Sequence, residues 1–325
     1  MRLLKFSVPM LLTTVWCFTE AQVSNRDLAP ALENLGSEVS YLRNQAARGD
    51  AMAEYRLGRL FMTGTGVTSD YKEAAKYFRA AAEQELTEAQ LALGYLYTNG
   101  KGVPRDYRKA FVYYTVAAKK GDLTAANNLA AMYGHGRGVR RDVQQSVNWY
   151  RYAAEGGNVV AQCNLATLYF WGRGVAQDYA EAAQWFQRAA ERGYPPGQES
   201  LAWMFNTGTG VAQDYAMAAH WFELAAHRSY SRAQLELGYL YEQGKGVRLD
   251  YVTAYMWYKT AESGGDGRAR EELKRVSRLM TERQIRQANA AAAELLSSIP
   301  KVSSMPKGDV VEESQSIGNA FIPRP

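Results

Sequence analysis

Residues 93–106 read LGYLYTNGKGVPRD, and the turn inside that stretch decides the fold. Gly100-Lys101-Gly102-Val103 is one of six Gly-x-Gly-Val copies. They start at Gly64, Gly100, Gly136, Gly172, Gly208 and Gly244, each 36 residues after the last. A constant period of about 20–50 residues marks a stacked-repeat architecture and outranks any local motif. One unit cannot bury its apolar face alone, so neighbours stack and share a continuous core. Aligning the chain on itself gives units 50–85, 86–121, 122–157, 158–193, 194–229 and 230–265.

The first half of each unit carries Leu57, Leu93, Leu129, Leu165, Leu201 or Leu237. An aromatic follows four residues later: Phe61, Tyr97, Tyr133, Tyr169, Phe205 or Tyr241. Ala53, Ala89, Ala125, Ala161 and Ala233 stand four residues before, with Gly197 in the fifth unit. Spacing of four and eight residues places these on one face of a helix, here called A. The second half opens on Asp70, Asp106, Asp142, Asp178, Asp214 or Asp250, an N-cap for a second helix, B. Glu73, Gln145 and Glu181 add a capping-box pattern in three units. Aromatic pairs such as Tyr113-Tyr114 and Trp185-Phe186 follow, then an Ala-Ala step small enough for close helix approach. The glycines between A and B allow a left-handed helix end and a sharp reversal. Gly49, Gly121, Gly157, Gly193 and Gly265 are expected to do the same after B.

The pattern Ala-x-x-x-Leu-Gly-x-x-Tyr-x-x-Gly-x-Gly-Val-x-x-Asp-x-x-x-Ala-x-x-Trp-Tyr-x-x-Ala-Ala-x-x-Gly resembles the Sel1-like repeat, a relative of the tetratricopeptide repeat. The likeness covers about two thirds of the 325 residues, and Leu279 to Leu296 is similar to the helix that often closes such arrays. It implies an all-α fold, a right-handed α-solenoid of antiparallel helix pairs, and the role of adaptor in protein assemblies. Many bacterial members are exported. A cysteine-rich branch is associated with β-lactam binding, but its cysteine pair per repeat is missing here, so that activity is not carried over.

Residues 1–21 read as a secretory signal: Arg2 and Lys5, then a mostly apolar run from Phe6 to Phe18, then Thr19-Glu20-Ala21 as a cleavage site. The run is shorter than the roughly 18 residues that span a bilayer, although retention as an anchor is the competing reading. Cleavage lowers the formal net charge from +5 to +4, because Arg2, Lys5 and Glu20 leave together. No basic run suggests a nucleic-acid arm, so nucleic acid is not an expected partner. Cys163 remains as a single cysteine, expected as a helix-face filler, and stability must come from packing. Residues 22–49 are expected as an N-terminal linker and capping helix, and 266–297 as C-terminal capping helices with a Thr281–Gln284 capping box. The Pro, Ser, Gly and charged residues of 298–325 predict a disordered tail.

Core positions repeat in all six units, while the opposite face of helix A varies. In tetratricopeptide-like stacking that face lines the concave groove. Tyr55, Arg59, Leu91, Tyr95, Phe170, Trp203 and Tyr239 are the candidate partner-binding residues there, as exposed aromatics and Arg are common anchors. Filling of gaps between adjacent A helices is the competing reading. A second surface is the middle residue of the A–B turn: Lys101, Arg137, Arg173 and Lys245. Stacked at helix-packing distance these predict a basic ridge, suited to an anionic envelope polymer or host glycan, or else an ordinary solvated turn.

Nothing in the chain predicts catalysis, a cofactor or a metal. His135 lies in a turn, and His220 and His227 share a helix face with Glu223, where surface positions are expected. No nucleophile elbow or Ser/His/Asp arrangement is present, and the capping Asp residues come one per repeat. The sequence-level expectation is a non-catalytic scaffold of the periplasm or secreted space, not membrane-spanning once the signal is removed.

Overall fold

The computed structural model describes residues 25–298, with side chains from residue 36. The signal at 1–21, the first residues of the linker and the tail beyond Ser298 lie outside the described residues. Fifteen helices and no strand are found among the described residues. They are α1 (Asn25–Ala46), α2 (Ala51–Thr63), α3 (Tyr71–Glu83), α4 (Thr87–Asn99), α5 (Tyr107–Lys119), α6 (Leu123–His135), α7 (Val143–Glu155) and α8 (Val159–Trp171). There follow α9 (Tyr179–Glu191), α10 (Pro195–Thr207), α11 (Tyr215–Ala226), α12 (Ser231–Gln243), α13 (Tyr251–Ser263), α14 (Ala269–Ser277) and α15 (Glu282–Ser298). Helices α2, α4, α6, α8, α10 and α12 are the A helices and α3, α5, α7, α9, α11 and α13 the B helices. His135 ends α6 rather than standing in the turn, because the helix runs up to the left-handed Gly136.

The repeat's local chemistry is the same in each unit. The first glycine of Gly-x-Gly-Val ends helix A with positive φ, between 64° and 77°. The capping Asp takes backbone N–H groups of the first turn of B on its carboxylate. Its own N–H donates back across the turn to the carbonyl of the helix-A aromatic, at 2.8 Å for Asp70 and Phe61 and 2.9 Å for Asp106 and Tyr97. Each hairpin is thus closed by donors and acceptors that would otherwise be orphaned at two helix ends.

The chain divides into two compact units, one through Gln84 and one from Glu85 onward. In the first, α1 lays Val39 and Leu42 on Ala53 and Leu57 of α2, with Tyr77 of α3 packed against the same cluster. In the second, each A helix packs on its own B helix and each B helix on the next A helix, an α-solenoid arrangement. Leu93, Leu129, Leu165, Leu201 and Leu237 are fully buried there. Burying such a side chain stabilises by about 1.5–3 kcal/mol, so the core is a sum of nearly equal layers.

The C-terminal helices α14 and α15 fall within the span expected to cap the array. Helix α14 keeps the repeat register: Ala269 and Leu273 stand 36 residues after Ala233 and Leu237, and both are buried. It is a truncated seventh A helix. Helix α15 opens on the Thr281–Gln284 capping box, with Gln284 Oε1 accepting the Thr281 N–H at 2.8 Å, and it packs on α13.

Candidate functional site

The A-helix face opposite the core is built by residues one turn apart on successive A helices. In the first unit Arg59 is exposed and Tyr55 half-buried, its ring 5.7 Å from Phe78. In the compact part from Glu85 onward Leu91, Tyr95, Trp203 and Tyr239 are half-buried, leaving part of each side chain at the surface. Phe170, expected as an exposed anchor, is only 5% exposed. Its ring lies 5.0 Å from Tyr179 and 5.8 Å from Trp203, filling the step between the fourth and fifth repeats. Phe170 therefore packs edge-on against Trp203.

Polar pairs stitch neighbouring A helices along this face, most of them 33 residues apart. Arg232 Nε sits 3.2 Å from Glu199, Arg275 reaches Glu242 at 2.6 Å, and the Tyr239 hydroxyl donates to Glu272. Asn164 donates to Asn127 at 2.9 Å. Burial pushes the Glu199 carboxyl up to about 7, against the attraction of Arg232. Burial likewise pushes the Cys163 thiol up, so it stays protonated as a core filler.

The turn cations are less uniform than a ridge requires. Lys101 Nζ donates to the Tyr95 hydroxyl and lies 5.1 Å from that ring. Arg137 lies over the Tyr107 ring and Lys245 over the Tyr215 ring, at 5.7 and 5.3 Å. Both rings belong to the start of the preceding B helix, so these cations tie one repeat to the one before. Position 143 is a valine, which offers no ring to the exposed Arg173.

Two recurring elements were missed in the sequence. Gln162, Gln198 and Gln234 are buried and donate to the carbonyls of Ala154, Ala190 and Ala226, which end the preceding B helices. Glu54 and Gln90 hold the same register position in the first and second repeats and Ala126 in the third, so the 36-residue alignment carried most of the signal. The second missed element is the set of inter-repeat ion pairs, visible only as opposite charges 33 residues apart.

Among the described residues no group of three His, Cys, Asp or Glu side chains is gathered as metal ligands. His227 Nε2 is 3.9 Å from Glu223, both half exposed, and His220 rests against Trp221. No helix of the described residues is long and apolar enough to cross a membrane.

The chain matches the Sel1 repeat at residues 51–86, 87–122, 123–158, 159–194, 195–230 and 231–266. No curated protein matches it. Among solved structures it is similar to a Sel1 repeat protein from Oxalobacter formigenes, at 30% identity and TM-score 0.67, covering 74% of this chain and 99% of that one. It also aligns with c5321, a protective antigen of uropathogenic Escherichia coli with an SLR fold, at 26% identity and TM-score 0.44, covering 80% and 79%.

Proposed function

The chain belongs to the Sel1 repeat family, and from that premise we propose that it is a non-catalytic scaffold holding a protein partner on its A-helix face. Sel1 repeat proteins are generally protein-interaction scaffolds. The observation that carries the proposal is internal. Six copies keep their core residues while Tyr95, Trp203 and Tyr239 stand half-buried on a face that varies among the copies, with Leu91 and Tyr95 of the second repeat recurring only as Leu235 and Tyr239 of the sixth. A partly exposed aromatic seated on a packed base supplies contact area at low entropic cost, the property of an interface anchor. In the stacking the family implies, that face lines a concave groove. The leader at residues 1–21 supports export, and the proposed compartment is the periplasm or the secreted space.

The test is a pull-down from envelope and secreted fractions with the chain from residue 22, beside its Tyr95→Ala/Trp203→Ala variant. A protein retained by the first and lost by the second supports the reading. Equal retention by both baits moves the partner to another surface.

A further inference from the structure

We propose that the exposed face of α5 is a docking surface for an anionic phospholipid leaflet, with Val112 and Val116 seated at the headgroup boundary and cations on either side of them. The surface belongs to a B helix, apart from the A-helix face assigned to a protein partner, so it stands or falls independently of the scaffold reading.

The positive charge of the chain is concentrated around this helix. Residues 100–142 carry nine Lys and Arg against three Asp, a net of +6, while the whole chain carries +5. Arg108, Lys109 and Lys119 stand in α5 and Lys120 at its C-cap, with no acidic residue among them. Every other B helix contains at least one Glu. Two of the four cations have surface partners: Lys109 lies 4.0 Å from Asp106, and Lys120 lies 3.2 Å from the largely exposed Glu85. Arg108 and Lys119 are exposed, with no ion pair among the described residues. The guanidinium groups of Arg105 and Arg137 lie 5.5 and 5.7 Å from the Tyr107 ring that opens the helix, so its N-terminal end gathers charge from two repeats.

Apolar side chains stand in the middle of this charge. Arg108, Val112, Val116 and then Lys119 and Lys120 follow at helical spacing down one face. Val112 is 57% exposed and Val116 36%. Four other repeats place Lys76, Asn148, Gln184 and His220 where Val112 stands. Valine is a weaker helix former than Lys76 or Gln184, so the helix itself gains nothing from it there. Tyr152 of α7, 44% exposed, extends the patch. A Cβ built on Gly121 would lie 4.0 Å from the Tyr152 hydroxyl, which places that hydroxyl beside the C-terminal end of α5.

Cations framing exposed valines and a tyrosine match a leaflet, whereas a soluble polyanion asks for no apolar contact. Arg108 and Lys119 stand about 16 Å apart along the helix, too far for one phosphate but within a field of headgroups. Attraction to the anionic surface and burial of apolar side chains at the acyl boundary then add.

The test is co-sedimentation with vesicles, using the chain from residue 22, which holds every described residue and lacks the apolar run Phe6–Phe18. Binding is expected to phosphatidylethanolamine vesicles containing phosphatidylglycerol and not to phosphatidylcholine alone. Arg108→Gln/Lys119→Gln is expected to weaken it on the order of thirtyfold, each cation near the surface contributing about fivefold. Val112→Ser/Val116→Ser is expected to weaken it on the order of tenfold. Arg79→Gln/Arg188→Gln removes the same charge from exposed positions of α3 and α9 and is expected to bind like the native chain. Unchanged thermal midpoints verify the fold of each variant, and slowed amide exchange in α5 on vesicle binding is a second readout that needs no variant. No binding to phosphatidylglycerol vesicles, or no slowing in α5, would overturn the proposal. Equal losses from the α5 and the α3/α9 charge variants would reduce the effect to net charge and overturn it as well. Full binding by the valine variant, with equal retention of both proteins on immobilised polyglutamate, would replace the leaflet by a soluble acidic partner.

Discussion

The Lys101 ammonium donates a hydrogen bond to the Tyr95 hydroxyl at 2.7 Å. The first cation of the turn ridge is thereby held by an aromatic of the A-helix face, and the two surfaces distinguished in the sequence meet in one contact. Arg137 and Lys245 are drawn onto tyrosine rings of the preceding repeat. A cation held against a ring in this way contributes on the order of 0.5–2 kcal/mol to the joint. Charge that could face an anionic polymer is instead spent partly between repeats.

This arrangement separates the two modes of binding by salt. A partner seated on Tyr95 and Trp203 is expected to stay bound from 50 to 500 mM salt, because burial of aromatic area is not screened. Arg173→Glu, at the exposed turn position, is expected to leave that binding unchanged. Loss of retention at moderate salt together with loss in Arg173→Glu would transfer the site to the turn edge.

In the third, fifth and sixth repeats the second glycine of the turn does more than reverse the chain. Gly138 has φ +71°, and a Cβ built there would overlap the backbone carbonyl of Tyr107 in the preceding repeat. Gly136 has a similar φ of +69°, but its nearest neighbour would be the Arg141 Cβ at 3.1 Å. Gly136→Ala should therefore cost about 1 kcal/mol, the penalty of a left-handed alanine. Gly138→Ala adds overpacking and should cost about 1–3 kcal/mol more. Urea midpoints of the two variants check the order, and equal losses would show that repeats do not press on this atom.

Most of the scaffold was legible because it is periodic. Leu165 and Asp178 read as core and cap from their copies alone, whereas the capping boxes expected at Glu73, Gln145 and Glu181 do not form, because the capping Asp N–H donates to the carbonyl of the helix-A aromatic instead. Apart from the recurring buried Gln162, Gln198 and Gln234, what stayed illegible is what does not repeat. Phe170 and Trp203 share a register-breaking step that only packing reveals. Glu199 and Arg232 pair across 33 residues, off the 36-residue period, so self-alignment never brings them side by side. Lys101 looked like a solvent charge because sequence places it in a turn, whereas its four-carbon stem lets the head fold back to Tyr95.

Two positions break the glycine rule after helix B. Glu85 and Ser229 adopt φ of 63° and 62°, where Gly121, Gly157, Gly193 and Gly265 stand in other repeats. A side chain in the left-handed region costs about 1 kcal/mol. Ser229→Gly is expected to stabilise by a few tenths to 1 kcal/mol, the loss of a Cβ strain offset by glycine's greater unfolded-state entropy. A calorimetric midpoint at or below that of the native chain would mean that contacts of the serine outweigh its backbone strain.

The third repeat carries an internal mismatch of the same origin. Tyr114 and Tyr258 hold one register position on their B helices. Thr98 approaches the Tyr114 hydroxyl at 3.4 Å, and the Tyr258 hydroxyl donates to Glu242 at 2.6 Å. Tyr150 holds that position in the third repeat, fully buried, but residue 134 is glycine and brings no side chain to meet it. The Tyr150 hydroxyl has no hydrogen-bond partner among the described residues. A buried unsatisfied polar group costs about 1–3 kcal/mol, whereas the same ring without it costs nothing extra. Tyr150→Phe is expected to stabilise the chain by about 1 kcal/mol, and Tyr258→Phe to destabilise it by leaving Glu242 short of a donor. Denaturant midpoints at unchanged m decide both. A Tyr150→Phe protein less stable than the native one would mean that a buried water serves the hydroxyl in the space Gly134 leaves.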